Sequence, residues 1–574
     1  MKKRSAVTEC LIDVIKKTPL RSVGLILAAA GAVGASLAPP QMLRVIADRF
    51  LIPGNYEGIL WAAFGYFGLL ALSNVFELLK RFLLIVIGQD LGVAIQSKMS
   101  EKLTRLKSAY YTSRDHGETA SYFVNDVNTI NYVFTNGVAN MAVDMLKIIG
   151  ILVSITLFSP VITLVVCGLA PVMIWGTGMI RKSMLAAQLE SRFTTAKINN
   201  SISETFENVS MIKVLGKTEF MKRRWSSRLE DNYAAAERIN FLDSITSPLT
   251  QVLRAAVIGA IIYLSAENYG ITVGMLIASI DLINRMFEPL ESVSTELQAI
   301  QAAYSGIKRV NEFCREEEED RNEPAELTES FWEKPAEIEF SHVSFSYAAG
   351  QKTLCDISFK AAPKEKLAVV GRTGAGKTTL FSLITGLYLP EKGTVCINGI
   401  ETYKIAPWDK RKLFAYVSQA FTPIAGTVFE QVSLKDERVG EEQVYDAMKT
   451  TGLHEVVLKL EHGYQSRYQE GMLSRGQEQL LSLARAIVLK PQILLLDEMS
   501  ASLDSLSEER VTQVLEQTSG DMTRISISHR LSSILQSDRI LYLKSGYLEL
   551  VLEGTEEGSS SLCHPVWQLM LAVY

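Results

Sequence analysis

The stretch Gly371-Arg372-Thr373-Gly374-Ala375-Gly376-Lys377-Thr378 decides how the second half of this chain folds. It has the spacing G-x-x-x-x-G-K-[ST], follows an apolar run at 367–370, and precedes a predicted helix over 379–387. In a strand–loop–helix unit of this kind, backbone N–H groups and a helix N-terminus surround phosphate oxygens. We expect Lys377 to contact the β- and γ-phosphates of a nucleotide and the Thr378 hydroxyl to bind Mg²⁺.

A second acidic site follows further along the chain. Residues 493–496 form a continuous apolar run that ends at Asp497 and Glu498. Such a run indicates a strand buried on both faces, and ligands bind at the carboxyl ends of parallel strands. We therefore expect Asp497 to hold Mg²⁺ and Glu498 to polarise the attacking water.

The surrounding residues 336–574 predict an α/β domain with a largely parallel sheet, because short β-branched runs alternate with helical segments. Those runs cover residues 336–347, 366–370, 492–496 and 523–528. An acidic segment with two prolines, residues 314–335, precedes this domain and predicts a linker.

The first 313 residues predict an all-α polytopic membrane domain. Six spanning helices are expected at roughly 20–45, 57–87, 137–158, 161–182, 244–266 and 271–292. Three of them contain long uncharged runs, at 22–43, 58–76 and 161–180, and each run can cross about 30 Å of hydrocarbon. The polar stretches 89–136 and 181–243 predict helices that continue out of the membrane. The alternative, core helices of a soluble protein, leaves the charge asymmetry of the connections unexplained.

Basic residues set the expected topology. They are concentrated in the N-terminal 19 residues and in the two long polar stretches, whereas the three short connections hold only Arg49. Positively charged segments stay on the cytoplasmic side, so both termini are predicted to be cytoplasmic. The first apolar run begins near residue 22 and has the length of a full span, which argues against a secretory signal peptide.

Composition excludes several classes of protein. Charged residues make up 21% of the 574 residues and apolar residues 48%, so the chain is not intrinsically disordered. The net charge of -5 gives no basic field, and no nucleic-acid partner is expected. Six cysteines, none close to another in sequence, do not predict a disulfide framework or a zinc ribbon.

Further motifs, in a fixed order, give the chain a family resemblance. They are Tyr347 in Phe345-Ser346-Tyr347, Gln419 after Tyr416-Val417-Ser418, Leu473-Ser474-Arg475-Gly476-Gln477, Asp504 in Ala501-Ser502-Leu503-Asp504, and His529 in Ile527-Ser528-His529-Arg530. With the phosphate loop and the Asp497 strand, they resemble the ATP-binding cassette exporters over nearly the whole chain. Six membrane helices before one cassette resemble a half-transporter of that family.

The resemblance implies roles for these residues. ATP would lie on the phosphate loop, Thr379 included, with Tyr347 stacked on adenine. Glu498, His529 and Gln419 would act in hydrolysis, and Gln419 would also bind Mg²⁺. Ser474, Gly476 and Gln477 would complete the ATP site of a second chain, near Asp504. The working unit would then be a homodimer or heterodimer of half-transporters in a lipid membrane.

The implied activity is ATP-driven export by alternating access of a small molecule, lipid or peptide. Short helices near 108–118 and 203–214 would transmit cassette movements to the membrane helices. The expected location is a bacterial plasma membrane, with a eukaryotic organelle membrane as the alternative. An importer and a ligand-gated channel on the same fold are alternative functions, and the chain keeps the Glu498 and His529 that a channel can dispense with. A peptide exporter with a protease domain is not supported, because only about 20 residues precede the first span.

Two departures from the family pattern matter. Arg475 replaces the usual first glycine of the signature, which leaves open a functional signature or the competent-carboxylate subunit of an asymmetric heterodimer. The segment 467–472 before it is shorter than the family's acidic, glycine-rich stretch, so its contact with the membrane helices is in doubt.

Charges inside the predicted spans need an explanation, because charges at membrane depth are costly. Asp281, Arg285 and Glu288 share one helical face, and Asn140, Asp144 and Lys147 repeat that geometry. Glu77, Lys80, Arg81 and Arg254 complete the set. Two interpretations are open: the charges pair and hold helices together, or they line a hydrated cavity that receives a polar or peptide-like substrate.

Overall fold

The computed structural model describes residues 5–54, 57–114, 116–266, 271–319, 325, 327–348, 351–497, 505–528, 534 and 536–553. The chain divides into two compact units. The helical unit comprises Met1–Arg105 and Arg114–Glu317, and the α/β unit comprises Leu106–Ser113 and Glu318–Tyr574. The short segment Leu106–Ser113, which the sequence assigned to the membrane domain, therefore belongs to the unit that carries the phosphate loop.

The helical unit consists of long helices and a few short ones. They are α1 (Ala6–Lys17), α2 (Pro19–Ile46), α3 (Ile59–Leu103), α5 (His116–Ser121), α6 (Val127–Tyr132), α7 (Ala139–Phe158), α8 (Pro160–Glu207), α9 (Val209–Val214), α10 (Thr218–Ala266) and α11 (Val273–Arg315). Three π-helical stretches, Ala47–Leu51, Tyr122–Asp126 and Val133–Val138, continue or join them.

Each of the six predicted spans lies on a long helix, namely α2, α3, α7, α8, α10 and α11. By length and composition, three helical stretches of the described residues can cross a membrane: Pro19–Leu51, Gly117–Leu157 and Thr218–Ser265. Pro160–Leu169 is a shorter apolar helix. The other expected spans, on α3, α8 and α11, remain predictions. All three of these helices are longer than 40 residues, as expected of helices that continue beyond a bilayer.

The helical unit is held together by apolar packing and by close approach of helices. Ile155, Ile162, Ile261 and Leu282 are fully buried in one cluster that joins α7, α8, α10 and α11. Between α2 and α3, a Cβ placed on Gly31 would lie 2.5 Å from the Phe76 ring. Small residues of this kind let membrane helices approach closely.

The α/β unit begins with two short helices and contains two sheets. Its helices are α4 (Ser108–Ser113), α12 (Glu329–Glu333), α13 (Lys377–Ile384), α14 (Pro407–Leu413), α15 (Val428–Ser433), α16 (Glu441–Thr450), α17 (His454–Leu458), α18 (Arg475–Ile487) and α19 (Ser505–Thr518). Its strands are β1 (Ile338–Ala348), β2 (Gln351–Ala361), β3 (Lys366–Gly371), β4 (Lys392–Ile397), β5 (Ile400–Glu401), β6 (Phe414–Val417), β7 (Ile493–Asp497), β8 (Thr523–Ile527), β9 (Arg539–Lys544) and β10 (Tyr547–Glu553).

The larger sheet agrees with the expectation of a largely parallel sheet. Its order is β10-β9-β3-β8-β7-β6, and every neighbouring pair except β9/β10 is parallel. A second sheet, with the order β2-β1-β4-β5, is antiparallel and was not predicted. Its strands β1 and β2 pair with several register shifts, so a simple alternation of apolar and polar residues is interrupted.

Two cores stabilise the α/β unit. One lies among β1, β3, β8 and α13, with Phe340, Leu367 and Phe381 buried in it. The other joins β6 and β7 to α16 and α18 through residues such as Val417, Leu496 and Leu481. The expected linker also contributes, because Phe331 of α12 is buried in the first core.

An ion pair between distant segments of the helical unit yields a stability prediction. The Asp126 carboxylate is almost fully buried and accepts two hydrogen bonds from the half-exposed Arg309 guanidinium, at 2.7 and 2.5 Å. Arg309→Leu would leave a buried carboxylate without this partner, at a cost of about 1–3 kcal/mol. We expect a fall of several degrees in the apparent Tm of the detergent-solubilised chain.

Lys308→Leu is the matched control, because the Lys308–Glu312 pair on the same helix spans 3.8 Å and both side chains are exposed. Its apparent Tm should stay near that of the wild type. Equal Tm values for the two variants would contradict a stabilising role for the Asp126–Arg309 pair.

Candidate functional site

The phosphate loop joins β3 to α13 in the unit that the sequence predicted. Gly374 and Gly376 have φ angles of +83° and +100°, which favour glycine. A Cβ on Gly376 would lie 2.6 Å from Leu354 Cδ2 and 3.0 Å from the Thr353 carbonyl oxygen. A Cβ on Gly371 would overlap the Leu543 carbonyl oxygen of β9. The glycines are thus required by close packing as well as by the turn.

The Lys377 side chain folds back against the phosphate loop. It is only 7% exposed, and its ammonium donates to the carbonyl oxygens of Gly371 at 2.7 Å and Arg372 at 3.3 Å. The loop therefore holds a buried positive charge at the N-terminus of α13, where an anionic group is favoured. This arrangement fits the triphosphate of ATP.

The remaining residues of the phosphate loop differ in their exposure to solvent. Arg372, Thr373, Gly374 and Thr378 are exposed and can meet a ligand, whereas Ala375 and Thr379 are buried. Thr379 can therefore contribute its backbone N–H from the first turn of α13 more readily than its packed side chain. Its expected contact with nucleotide stays a prediction.

Asp497 lies where the sequence placed it, at the carboxyl end of β7 between β6 and β8. The Tyr416 hydroxyl of β6 donates to its Oδ2 atom at 3.0 Å. Burial, and then the negative charge of Asp497, raise the pKa of Tyr416 well above its usual range, so the phenol stays protonated and remains a donor. Tyr416 thus orients the carboxylate that is expected to hold Mg²⁺.

The side chains at this site fit magnesium chemically. Mg²⁺ prefers oxygen ligands and is bound in such sites by one or two carboxylates together with substrate phosphates. The Asp497 carboxylate, the Thr378 hydroxyl and the Gln419 amide supply oxygens of this kind. Among the described residues no group of three or more His, Cys, Asp or Glu side chains could hold a metal. The magnesium role of these three residues stays a prediction.

Gln419 is exposed in the loop after β6, and that loop is tied to α18. The Gln479 amide of α18 donates to the Gln419 carbonyl oxygen at 2.6 Å. Arg485, further along α18, donates to the carbonyl oxygens of Thr422 at 3.0 Å and Gln431 at 2.6 Å. The loop that carries Gln419 is therefore fixed to the helix that begins at the signature.

The signature lies at the start of α18. Ser474 is the N-cap: its hydroxyl accepts from the Gln477 N–H at 3.3 Å, and its own N–H donates to the Gln477 side chain at 2.9 Å. This capping box satisfies the first N–H groups of the helix. Ser474 is exposed and Gly476 is buried. The Gln477 side chain serves the cap here, so its expected contact with nucleotide remains a prediction.

Tyr347 lies near the end of β1 with half of its surface exposed. Its ring packs edge-on against Phe345 and Tyr388, with centroid distances of 5.0 and 5.2 Å. These neighbours hold the ring in place and leave part of it exposed, as a stacking partner for adenine requires.

Tyr388 also reaches α4. Its hydroxyl lies 3.1 Å from the Thr112 hydroxyl, within hydrogen-bond distance. The same α4 segment is joined to the start of the linker by a bridge between Leu106 and Glu318. The aromatic cluster at Tyr347 is thus in contact with the first of the two short helices that the sequence expected to transmit movement. The second, α9 (Val209–Val214), belongs to the helical unit.

Three predicted site residues, Glu498, Asp504 and His529, lie outside the described residues. Conversely, sequence reasoning missed Tyr416, Gln479 and Tyr388. Their roles depend on contacts between elements distant in the chain. The one sequence signal was position: Tyr416 lies three residues before Gln419, and Gln479 lies two residues after Gln477.

Comparisons with known proteins agree with this geometry. The family model described as the ABC transporter transmembrane region matches residues 23–290, and the one described as ABC transporter matches residues 354–501. An uncharacterized ABC transporter ATP-binding protein of Bacillus subtilis is 26% identical, over 89% of this chain and 85% of its own length. An ATP-dependent lipid A-core flippase of Bordetella avium is 25% identical, over 91% and 90%.

Another relative is a fatty acid ABC transporter ATP-binding/permease protein of Mycobacterium bovis, 26% identical over 80% of this chain and 73% of its own length. Among solved structures, a bacterial Atm1-family ABC exporter with ATP bound matches with a TM-score of 0.77. The match covers 97% of this chain and 98% of that one at 21% identity, so it supports the fold alone.

The fold and the site define a membrane protein in which a helical transmembrane domain is fused to an α/β nucleotide-binding domain. The chain belongs to the ATP-binding cassette transporters and has the architecture of an exporter-type half-transporter. The resemblance drawn from the motifs is confirmed, as is the predicted fold class. ATPase activity and residence in a membrane follow from membership of the family.

The exposed ring of Tyr347 yields a prediction about ATP affinity. Stacking of a base on an aromatic ring is worth about 1–3 kcal/mol. Tyr347→Ala should therefore weaken ATP binding about tenfold or more. Tyr347→Trp should preserve it, because tryptophan offers a larger stacking face. Binding is measured by titration of a fluorescent ATP analogue, and unchanged affinity in the alanine variant would refute the stacking role.

The Tyr416–Asp497 hydrogen bond yields a second prediction. Groups that orient a metal ligand typically affect metal affinity about 10–100-fold. Tyr416→Phe should raise the Mg²⁺ concentration for half-maximal ATP hydrolysis about tenfold, while binding of metal-free ATP stays unchanged. Tyr403→Phe is the control, since Tyr403 is exposed outside these site contacts. The same Mg²⁺ dependence in Tyr416→Phe and wild type would contradict this role.

Proposed function

We propose that this chain couples ATP hydrolysis to export of a solute across the membrane by alternating access, as one half of a dimer of half-transporters. The observation that carries the proposal is the buried ammonium of Lys377 in a glycine loop, on the same chain as a transmembrane helical domain. An ATP site fused to membrane helices has a direct use in driving their rearrangement.

Each residue of the site has a proposed role in hydrolysis. Lys377 and the loop N–H groups bind and orient the triphosphate, and Tyr347 holds the adenine. Glu498 accepts a proton from the attacking water, and Gln419 and His529 position that water and the γ-phosphate. Mg²⁺, when bound, would offset the negative charge of the triphosphate. Its protein ligands would be the Thr378 hydroxyl, the Gln419 side chain and the Asp497 carboxylate, which Tyr416 holds.

A second chain is proposed because the signature completes a site in trans in this family. Ser474 is exposed at the N-terminus of α18, and the backbone of Gly476 lies in the same turn. A helix N-terminus with an exposed hydroxyl suits the γ-phosphate of ATP on another cassette. Asp504 would lie at the same interface. Contacts with membrane lipid are proposed along the exposed apolar faces of the long helices.

Coupling between hydrolysis and transport is supported by the contact of Tyr388 with Thr112. Because α4 packs within the α/β unit, movement at the adenine-binding cluster can be passed to the chain segments on either side of α4. These segments lead into α3 and α5 of the helical unit. The Gln419 loop and α18 offer a parallel connection to the signature.

For the substrate and the direction of transport, several candidates are proposed. The relatives include a lipid A-core flippase and a fatty acid transporter, so a small molecule, a lipid or a peptide is the proposed cargo. An importer on the same fold is the second candidate. The third is the competent-carboxylate subunit of an asymmetric heterodimer, which the altered signature residue Arg475 favours. A bacterial plasma membrane with both termini cytoplasmic is the proposed location.

Replacing the proposed catalytic carboxylate tests the hydrolytic mechanism. Glu498→Gln keeps the shape of the side chain but removes the base, so hydrolysis should fall by at least about 100-fold. ATP should still bind and should trap the dimer in its closed form. The rate of phosphate release from purified chain in nanodiscs is the measurement. A near wild-type rate in Glu498→Gln would sink this assignment of the catalytic base.

A further inference from the structure

The helical unit contains a polar cavity at membrane depth, with a volume of about 230 Å³. Residues of α2, α3, α7 and α11 line it, and all but Glu296 lie within the predicted spans. Ser36 and Asn140 contribute small polar side chains to the wall. A cavity this polar is costly in a membrane and requires a reason.

Glu77 is the centre of the charged wall. Its carboxylate lies 2.8 Å from the Lys80 ammonium, 3.1 Å from the Arg81 guanidinium and 3.7 Å from the Lys147 ammonium. Lys80 is only 3% exposed and Arg81 is 71% exposed, and the Glu77 carboxylate lies within 3.7 Å of all three cations. Asp144 is a further 3.9 Å partner of Lys147.

Both interpretations of the intramembrane charges therefore have support. Ion pairs join α3 to α7 through Glu77 and Lys147, and Asp281 pairs with Arg285 at 3.0 Å on α11. Glu77, Lys147 and Arg285 nevertheless also line the cavity. Pairing alone would fill this space with protein atoms, because interiors pack densely.

The charges of the wall indicate the kind of ligand. Among the side chains that the structure describes, the cavity is lined by four cations, Lys80, Arg81, Lys147 and Arg285, and three carboxylates, Glu77, Asp144 and Glu296. The cations are concentrated around Glu77, where an additional anionic group would be attracted by all three. Ammonium and guanidinium donors bind carboxylates and similar oxyanions with strong, charge-assisted hydrogen bonds.

The size of the cavity further restricts the kinds of ligand that can bind there. Pockets for drug-sized ligands measure about 300–1,000 Å³ and are mostly apolar. A cavity of about 230 Å³ is smaller and its wall is charged. An apolar drug would lose the hydration of that wall without replacing it, whereas a small solute with an anionic group would replace it.

We propose that this cavity, defined by Ser36, Glu77, Lys80, Lys147 and Arg285, is a hydrated binding site for a small organic anion. The anionic group of the solute binds beside Glu77, where it completes the coordination of Lys80, Arg81 and Lys147. The proposal rests on the proposed transport function, since it names the substrate class that the membrane domain would carry.

The test measures access and charge preference of the cavity without nucleotide or transport. Ser36→Cys places a thiol in the wall of the full-length chain in nanodiscs. Two methanethiosulfonate reagents of similar size, the anionic sulfonatoethyl and the cationic trimethylammonioethyl form, are compared. Each reacts by attack of the thiolate on its sulfenyl sulfur, which forms a disulfide and releases methanesulfinate. Mass spectrometry of the peptide that contains residue 36 gives the rates, normalised to the same peptide in denaturant.

We expect residue 36 to react at least about tenfold faster with the anionic reagent, because a unit charge within several ångströms changes local ion energies by more than RT ln 10. Lys147→Gln in the Ser36→Cys chain should reduce that preference several-fold. Asn140→Cys, in the same wall, should show the same preference. Ser279→Cys is the dry control, because Ser279 is 0% exposed within α11, and it should stay unlabelled.

Three results would overturn the proposal. If residues 36 and 140 are both unlabelled, the charges form a closed structural network without a cavity for solutes. If they are labelled but favour the cationic reagent, or neither reagent, the cavity does not select anions. If Lys147→Gln leaves the anion preference unchanged, the cations around Glu77 do not set it. None of these readouts depends on ATP hydrolysis, so they are distinct from failure of the proposed transport function.

Discussion

The fold of the α/β unit depends on a lack of space around its phosphate loop. Gly371 faces a backbone carbonyl of β9, and Gly376 faces Leu354 and the Thr353 carbonyl of β2. Side chains cannot occupy these positions, so the loop must turn tightly and leave its N–H groups and the Lys377 ammonium at one point. The two sheets and α13 meet there, and the site is therefore a consequence of how the two sheets pack.

The same unit links two sites that the proposed function places on different ATP molecules. In the proposed function, Gln419 would act in the chain's own site and Ser474 in the partner's. Gln479 and Arg485 connect them, and Arg485 also lies 4.6 Å over the Phe421 ring. Burial, and then the nearby Arg411, lower the pKa of Arg485 to about 10. The buried guanidinium and the Gln479 amide therefore tie the Gln419 loop to the signature helix by direct hydrogen bonds.

The sequence patterns predicted the bounds of those elements whose structure is determined by neighbouring residues in the chain. Strands β3, β7 and β8 lie within two residues of their predicted bounds, because continuous apolar runs specify buried strands. Helix α18 begins directly after Ser474 of the signature, because the capping box at Ser474 defines its first turn. The antiparallel sheet was missed because its pairing depends on contacts between separated strands. Tyr416 and Tyr388 were missed for the same reason: only the fold brings them to Asp497 and Thr112. Likewise, the sequence placed Glu77 and Lys147 among the charges of the predicted spans, but the contact between them depends on how α3 packs against α7.

In the proposed dimer, each half-transporter supplies a phosphate loop to one ATP site and a signature to the other, and two copies of this chain would form the simplest such pair. Mixing two inactive variants, Lys377→Ala and Ser474→Ala, tests it most directly. In a mixed dimer, one site combines the intact phosphate loop of the Ser474→Ala chain with the intact signature of the Lys377→Ala chain. We expect co-reconstituted variants to hydrolyse ATP well above the rate of either variant alone. A mixture no more active than the separate variants, at a ratio and concentration where mixed dimers are detected by cross-linking, would contradict ATP sites shared between two copies of this chain.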